Sequence, residues 1–191
     1  MTRPVFAGMI VAAAALIAFA PMASAAAGKD DKAKKAQEKK DEKKEDKAGG
    51  KPLETYGDWT ASVASGKNKT CYALARPKER SPDGKHDQAY IFIADRPAEK
   101  VRNEVSVVVG FPIKEGSTAK AKAGKANFDL VAGTNAFFTK DAAEDTQFVD
   151  ALKHGGVLVI KAPPVKGGVI TDTYSLNGFG KAIDRAQKEC R

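Results

Sequence analysis

Two cysteines, Cys71 and Cys190, stand near the two ends of the part of this chain that is able to fold, and they allow only one intramolecular pairing. If both thiols meet an oxidising compartment, that pairing closes a loop of more than a hundred residues. In the chain-entropy picture a loop of that size contributes about 4 to 5 kcal/mol, a large share of a domain's net stability. No other feature restricts the fold as much. The competing reading, a catalytic or metal-binding thiol, lacks a C-x-x-C, and only His86 and His154 are available to complete a metal site.

Whether the pair forms depends on export, because the cytosol keeps thiols reduced. Arg3 gives a positive start, and residues 5–20 form an uncharged run of Val, Phe, Ala, Met, Ile and Leu. Pro21 then breaks the run, and Ala23-Ser24-Ala25 has the small-x-small form of a signal-peptidase site. Residues 1–25 therefore read as a cleaved signal peptide. A retained anchor is the alternative, but sixteen apolar residues fall short of the roughly 20 that span a bilayer.

Residues 29–51, KDDKAKKAQEKKDEKKEDKAGGK, hold ten lysines, seven acids and no large apolar side chain. Such a tract has nothing to bury. Residues 26–52 read as a Lys/Asp/Glu-rich tether, disordered or helical in part through i,i+4 charge pairs, ended by Gly49, Gly50 and Pro52. Of the formal charge of +8, the tether carries +3, residues 53–191 carry +4 and Arg3 the rest. Salt-sensitive contact with anionic envelope polymers or lipid is one consequence; a solubilising spacer is the other. Nucleic acid fits poorly, since the mixed signs lack the interleaved aromatics of a strand-binding groove.

From residue 53 onward the pattern becomes that of short strands. Residues 58–64, 71–75, 89–94 (AYIFIA), 103–109 (NEVSVVV), 118–123, 127–132, 135–139, 157–162 and 169–175 are separated by turn clusters such as Ser65-Gly66-Lys67-Asn68-Lys69 and Ser81-Pro82-Asp83-Gly84. Residues 145–154 read as a short helix stopped by Gly155-Gly156. After Gly178, the residues Phe179, Ala182, Ile183, Ala186 and Cys190 make one apolar stripe of a closing helix. The expected architecture is mainly β: an antiparallel β-sandwich-like single domain with a short helix and a C-terminal helix. Trp59, the single tryptophan, opens the first expected strand as a core anchor.

Motifs for chemistry are missing from this pattern. No segment supplies G-x-S-x-G, H-E-x-x-H or a phosphate loop. His86 falls in a polar turn and His154 at a helix end, where an imidazolium suits the dipole. Glu144 and Asp145 read as helix N-terminal acids. Asn68-Lys69-Thr70 matches a glycosylation sequon that matters only in a host with that pathway. In Val169–Phe179 (VITDTYSLNGF), strand alternation puts Thr171, Thr173 and Ser175 on one face and Ile170, Asp172, Tyr174 and Leu176 on the other. A buried Asp172 then demands hydrogen-bond partners. No catalytic residue, cofactor or metal is expected.

Taken together, Tyr56-Gly57-Asp58-Trp59, Cys71-Tyr72 leading a strand that ends at Arg76-Pro77, Phe111-Pro112 after a valine-rich strand, and Asp172 to Phe179 (DTYSLNGF) resemble the invasion-associated locus B family of exported bacterial proteins, found chiefly in alphaproteobacteria. The resemblance runs from about Glu54 to Cys190 and leaves out the tether. It implies a periplasmic or envelope-associated β-sandwich-like domain, linked in some pathogens to host-cell invasion or adhesion, with no established catalytic site. Family members often carry further cysteines in mid-domain; this chain has none, which points to a branch with a single disulfide.

The expectation is therefore an exported, non-enzymatic envelope protein whose partner is an unnamed envelope component or protein. Its residues of interest are the Cys71–Cys190 pair and the motif positions Trp59, Tyr72, Asp172, Tyr174 and Phe179. A periplasmic chaperone that adds a partner's strand to a sheet edge is the alternative. An enzyme comes third and would need convergent polar groups in an apolar pocket.

Overall fold

The computed structural model describes residues 49–82 and 88–191. The signal-peptide reading, most of the tether, His86 and the Asp83-Gly84 turn lie outside the described residues. Eleven strands form one sheet in which every pairing is antiparallel. They are β1 (Lys51–Tyr56), β2 (Trp59–Ala64), β3 (Thr70–Ala75), β4 (Glu79–Ser81), β5 (Tyr90–Arg96), β6 (Val101–Val108), β7 (Thr118–Ala123), β8 (Ala126–Ala132), β9 (Ala136–Phe138), β10 (Val157–Ala162) and β11 (Ile170–Ser175). Their order across the sheet is β1-β2-β3-β5-β6-β9-β8-β7-β10-β11-β4.

Period-two alternation sends one set of side chains from both halves of this sheet into a shared core: Trp59, Ile91, Ile93, Val105 and Val107 from one half, Ala121, Leu130, Leu158, Ile160 and Tyr174 from the other. The molecule is thus sandwich-like, as the pattern predicts, but built from one continuous sheet turned over on itself. Ala73 and Ala75 on β3 and Ala119, Ala121 and Ala123 on β7 are buried in the same core as its aromatic side chains.

Helix α1 (Ala142–His154) begins three residues before its expected start. Its N-cap is Asp141, whose carboxylate accepts from the backbone N–H of Ala143 and Glu144, each at 2.9 Å. Phe148, Val149 and Leu152 are its buried face, as predicted. Helix α2 (Phe179–Glu189) buries Phe179, Ala182, Ile183 and Ala186 against the sheet. Cys190 follows directly and is bonded to Cys71 across a sequence separation of 119, with Cα atoms 5.9 Å apart. Ala61, Val63, Ala186 and Leu53 surround the bridge.

Two strands have no counterpart in the sequence reading, and they are the two sheet edges. Strand β1 starts at Lys51, so Lys51 and Pro52, grouped by composition with the tether, pair with Val63 and Ser62 of β2. Strand β4 is three residues, Glu-Arg-Ser, paired only with β11 among the named strands. Edge strands face water along one side and need no apolar alternation, so the signal used to find strands is absent from both.

Candidate functional site

The two motifs at the ends of the domain are each other's partners. The Asp58 backbone N–H donates to the Asn177 carbonyl at 3.0 Å, and Trp59 Nε1–H donates to the Ser175 carbonyl at 2.9 Å. The Trp59 ring, fully buried, meets Phe179 edge-on with centroids 4.7 Å apart. Gly178, at φ +90°, passes so close to β1 that an added Cβ would lie 1.8 Å from the Tyr56 carbonyl oxygen. Only glycine tolerates both that φ and that approach. Tyr56-Gly57-Asp58-Trp59 and Ser175 to Phe179 therefore form one junction, joining the first strands to the start of α2.

Beside it, the strand alternation places Asp172 and Tyr174 inward, as predicted. The partner that Asp172 demands is Arg80 on β4. Arg80 Nε and Nη2 donate to the two Asp172 oxygens at 2.6 Å each, and Nη2 also donates to the Val109 carbonyl at 2.8 Å. Both side chains are almost fully buried, at 4% and 3% exposure. The guanidinium carbon sits 5.5 Å from the Phe111 ring centroid, and the Asp172 hydrogen bonds hold Arg80 above the ordinary arginine range. This fork ties an edge strand to β11 and to the end of β6.

Tyr174 is buried, and its hydroxyl has no hydrogen-bond partner among the described residues. Burial, and then the Asp172 charge, push its pKa far up, so the phenol stays neutral. Tyr72 lies apart from the junction, on the opposite face of β3, with Leu74 and Ala94 and edge-on to Phe92 at 6.0 Å. Gly50 runs against it: a Cβ there would fall 2.1 Å from the Tyr72 hydroxyl oxygen.

His154 is exposed at the end of α1, its Nδ1 2.7 Å from the Asp150 carbonyl oxygen. Both acids read as helix N-terminal lie in the first turn of α1, and Glu144 accepts from the Lys140 backbone N–H at 2.8 Å. Asp145 does more than face the helix dipole: its carboxylate is buried, takes the Val105 backbone N–H at 2.9 Å and the Thr139 hydroxyl, and so ties α1 to β6. Burial raises its pKa above the usual carboxylate value. Sequence reasoning missed Arg80 altogether: nothing in a three-residue polar stretch distinguishes it from the chain's other cations, and the unmet need of Asp172 was the only pointer.

Among the described residues no group of three or more His, Cys, Asp or Glu side chains could hold a metal ion, and no helix is long and apolar enough to cross a membrane. Fold and junction define a class, an antiparallel β domain whose N- and C-terminal motifs interlock and whose last helix is bonded to its third strand.

The chain belongs to the family described as Invasion associated locus B (IalB) protein, whose profile matches residues 59–187. It is similar to the crystal structure of invasion associated protein b from Bartonella henselae, at 22% identity, covering 71% of this chain and 95% of that one, with a TM-score of 0.49. No curated protein matches it.

Proposed function

We propose that this chain is an exported, non-enzymatic cell-envelope interaction protein of the invasion-associated locus B type, acting in the periplasm or at the outer envelope through a binding surface. The observation that carries this reading, beside family membership, is how the motif side chains are used. Trp59, Asp172 and Phe179 all spend their hydrogen bonds and contacts on the domain itself. The motifs thus read as the fold's fasteners, and binding is left to its surface. A role in host-cell invasion or adhesion in pathogenic relatives is the finer form of the same proposal.

Strand addition by a chaperone is less well supported. Edge β1 carries Lys51, Pro52 and Glu54 with a register shift between Pro52 and Glu54, and β4 is a three-residue charged edge. These devices discourage pairing with another strand.

The test is co-sedimentation of the protein from Ala26 onward with isolated envelopes over a salt series, with and without residues 26–48. Binding by either form supports the reading, and loss on removing the lysine-rich segment assigns adhesion to that segment. No sedimentation by either form, or retention of the chain in the cytoplasm in a fractionation of producing cells, overturns it.

A further inference from the structure

The outward face of the second half of the sheet carries an arrangement that stability alone does not explain. Strands β7, β8 and β10 shape an open groove of about 430 Å³ whose lining includes Lys120, Lys122, Asn127, Asp129, Val159 and Lys161. Lys120 stands directly opposite Lys161 in the β7–β10 ladder, and Lys122 stands opposite Val159, one diagonal step from Lys161. Like charges directly opposite on adjacent strands oppose pairing. One carboxylate answers them: Asp129 accepts from Lys120 at 2.8 Å through both oxygens, which holds its pKa below the usual value. Lys122 and Lys161 are exposed, and neither has an acidic partner among the described residues.

We propose that this groove binds an acidic polysaccharide, a chain of sugars bearing repeated carboxylate or sulfate groups. This rests on the reading of the protein as an exported binding protein, and names its ligand class. Two uncommitted ammonium groups, Lys122 and Lys161, stand one diagonal step apart beside the Lys120–Asp129 pair, roughly 7 Å at Cβ, and match a repeating anion rather than one isolated charge. Val159 forms an apolar floor between the lysines, suited to the C–H face of a sugar ring. Hydrogen-bonding groups flank it: Asn127 opposite Lys122, Thr171 opposite Lys161 and Thr173 opposite Val159. Val159 itself is half-buried below the lysines, while Val157 and Val131 are exposed farther along the same face, so a lipid surface is the competing outcome that the vesicle arm below tests. Glu79, opposite Thr173 on β4, closes the acidic margin of the face.

The experiment measures binding of fluorescein-labelled heparin and oligogalacturonate hexasaccharides to the protein from Ala26 onward by fluorescence polarisation. Neutral maltohexaose and phosphatidylglycerol vesicles are run beside them. The K122E/K161E variant is compared with K67E/K181E, which makes the same change of net charge in the β2–β3 turn and on α2. The expected result is salt-sensitive binding of both acidic hexasaccharides and none of maltohexaose. It should weaken about tenfold or more in K122E/K161E, as attraction at two sites becomes repulsion, and at most about twofold in K67E/K181E.

Equal weakening in both variants, absence of hexasaccharide binding, or vesicle binding alone that K122E/K161E abolishes would each overturn the proposal. Envelope co-sedimentation on the same samples separates the two readings. Sedimentation retained without hexasaccharide binding defeats the groove alone, whereas loss of sedimentation by every form defeats the envelope reading as well.

Discussion

Removing either partner of the Arg80–Asp172 fork should cost far more than removing both. Asp172→Ala removes two charge-assisted bonds of 2.6 Å from a guanidinium whose side chain is 4% exposed. Bonds to charged groups contribute about 1.5 to 3 kcal/mol each, and breaking a buried pair costs about 3 to 5 kcal/mol; the two routes agree. Arg80→Met should cost a similar amount at neutral pH. The double variant Arg80→Met/Asp172→Leu removes both desolvation penalties and should lie within about 1 kcal/mol of the parent or above it. Urea denaturation followed by fluorescence suits the measurement, because Trp59 is the single tryptophan and is fully buried. A single variant that loses less than about 1 kcal/mol, or a double variant no better than the worse single one, would refute a buried, mutually dependent pair.

Four further outcomes are expected. Loss of the Cys71–Cys190 bond, by reduction or by C71S/C190S, should lower stability by up to about 5 kcal/mol for a loop of 119 residues; an unchanged unfolding midpoint with the bond shown absent by mass would contradict this. Gly178→Ala should destabilise by more than about 1 kcal/mol, while Gly156→Ala, where an added Cβ meets nothing within 4 Å, should be close to neutral; equal melting temperatures would count against the junction. Asp145 has a folded pKa raised above the ordinary 3.8, so its contribution is fully present below that value and is lost as pH rises through the folded one. Asp145→Asn should flatten that part of a stability–pH curve, and an unaltered slope would remove the group from the account. Lys161→Thr should raise the melting temperature slightly, by relief of about 0.2 to 1 kcal/mol of repulsion from Lys120; a lower one would show that the two lysines do not oppose each other.

What could be read from the sequence follows the burial of each element. Residues 89–94 were legible as a strand through their β-branched and aromatic content, and the α2 stripe ending at Cys190 because burial on one face writes a period into the chain. The resemblance carried by Trp59 and by residues 172–179 located the motifs, and strand alternation placed Asp172 inward. It could not supply Arg80: pairing over 92 positions leaves no local trace, and β4 is too short and polar to register as a strand. Asp145 was legible only in part, for a related reason. Its place in the first turn of α1 could be read from the chain, but its bonds to β6 depend on how α1 packs, which leaves no local trace.

Where the protein can meet a partner follows from what its polar groups are already doing. Inside the sandwich Arg80 and Asp172 bond to each other and to the domain, and at the edges proline, a three-residue strand and charge oppose a further strand. A ligand that needs exposed, uncommitted groups must therefore use a face. Of the sheet's two outward faces, the one bearing Tyr72, Leu74 and Ala94 is largely buried, whereas that bearing Lys120, Lys122 and Lys161 is open. Its lysines also carry a repulsion that an opposite charge would relieve, so the groups that weaken the fold are the ones best placed to bind an anion. A chain shaped by stability alone would have put a hydroxyl or an acid at position 161.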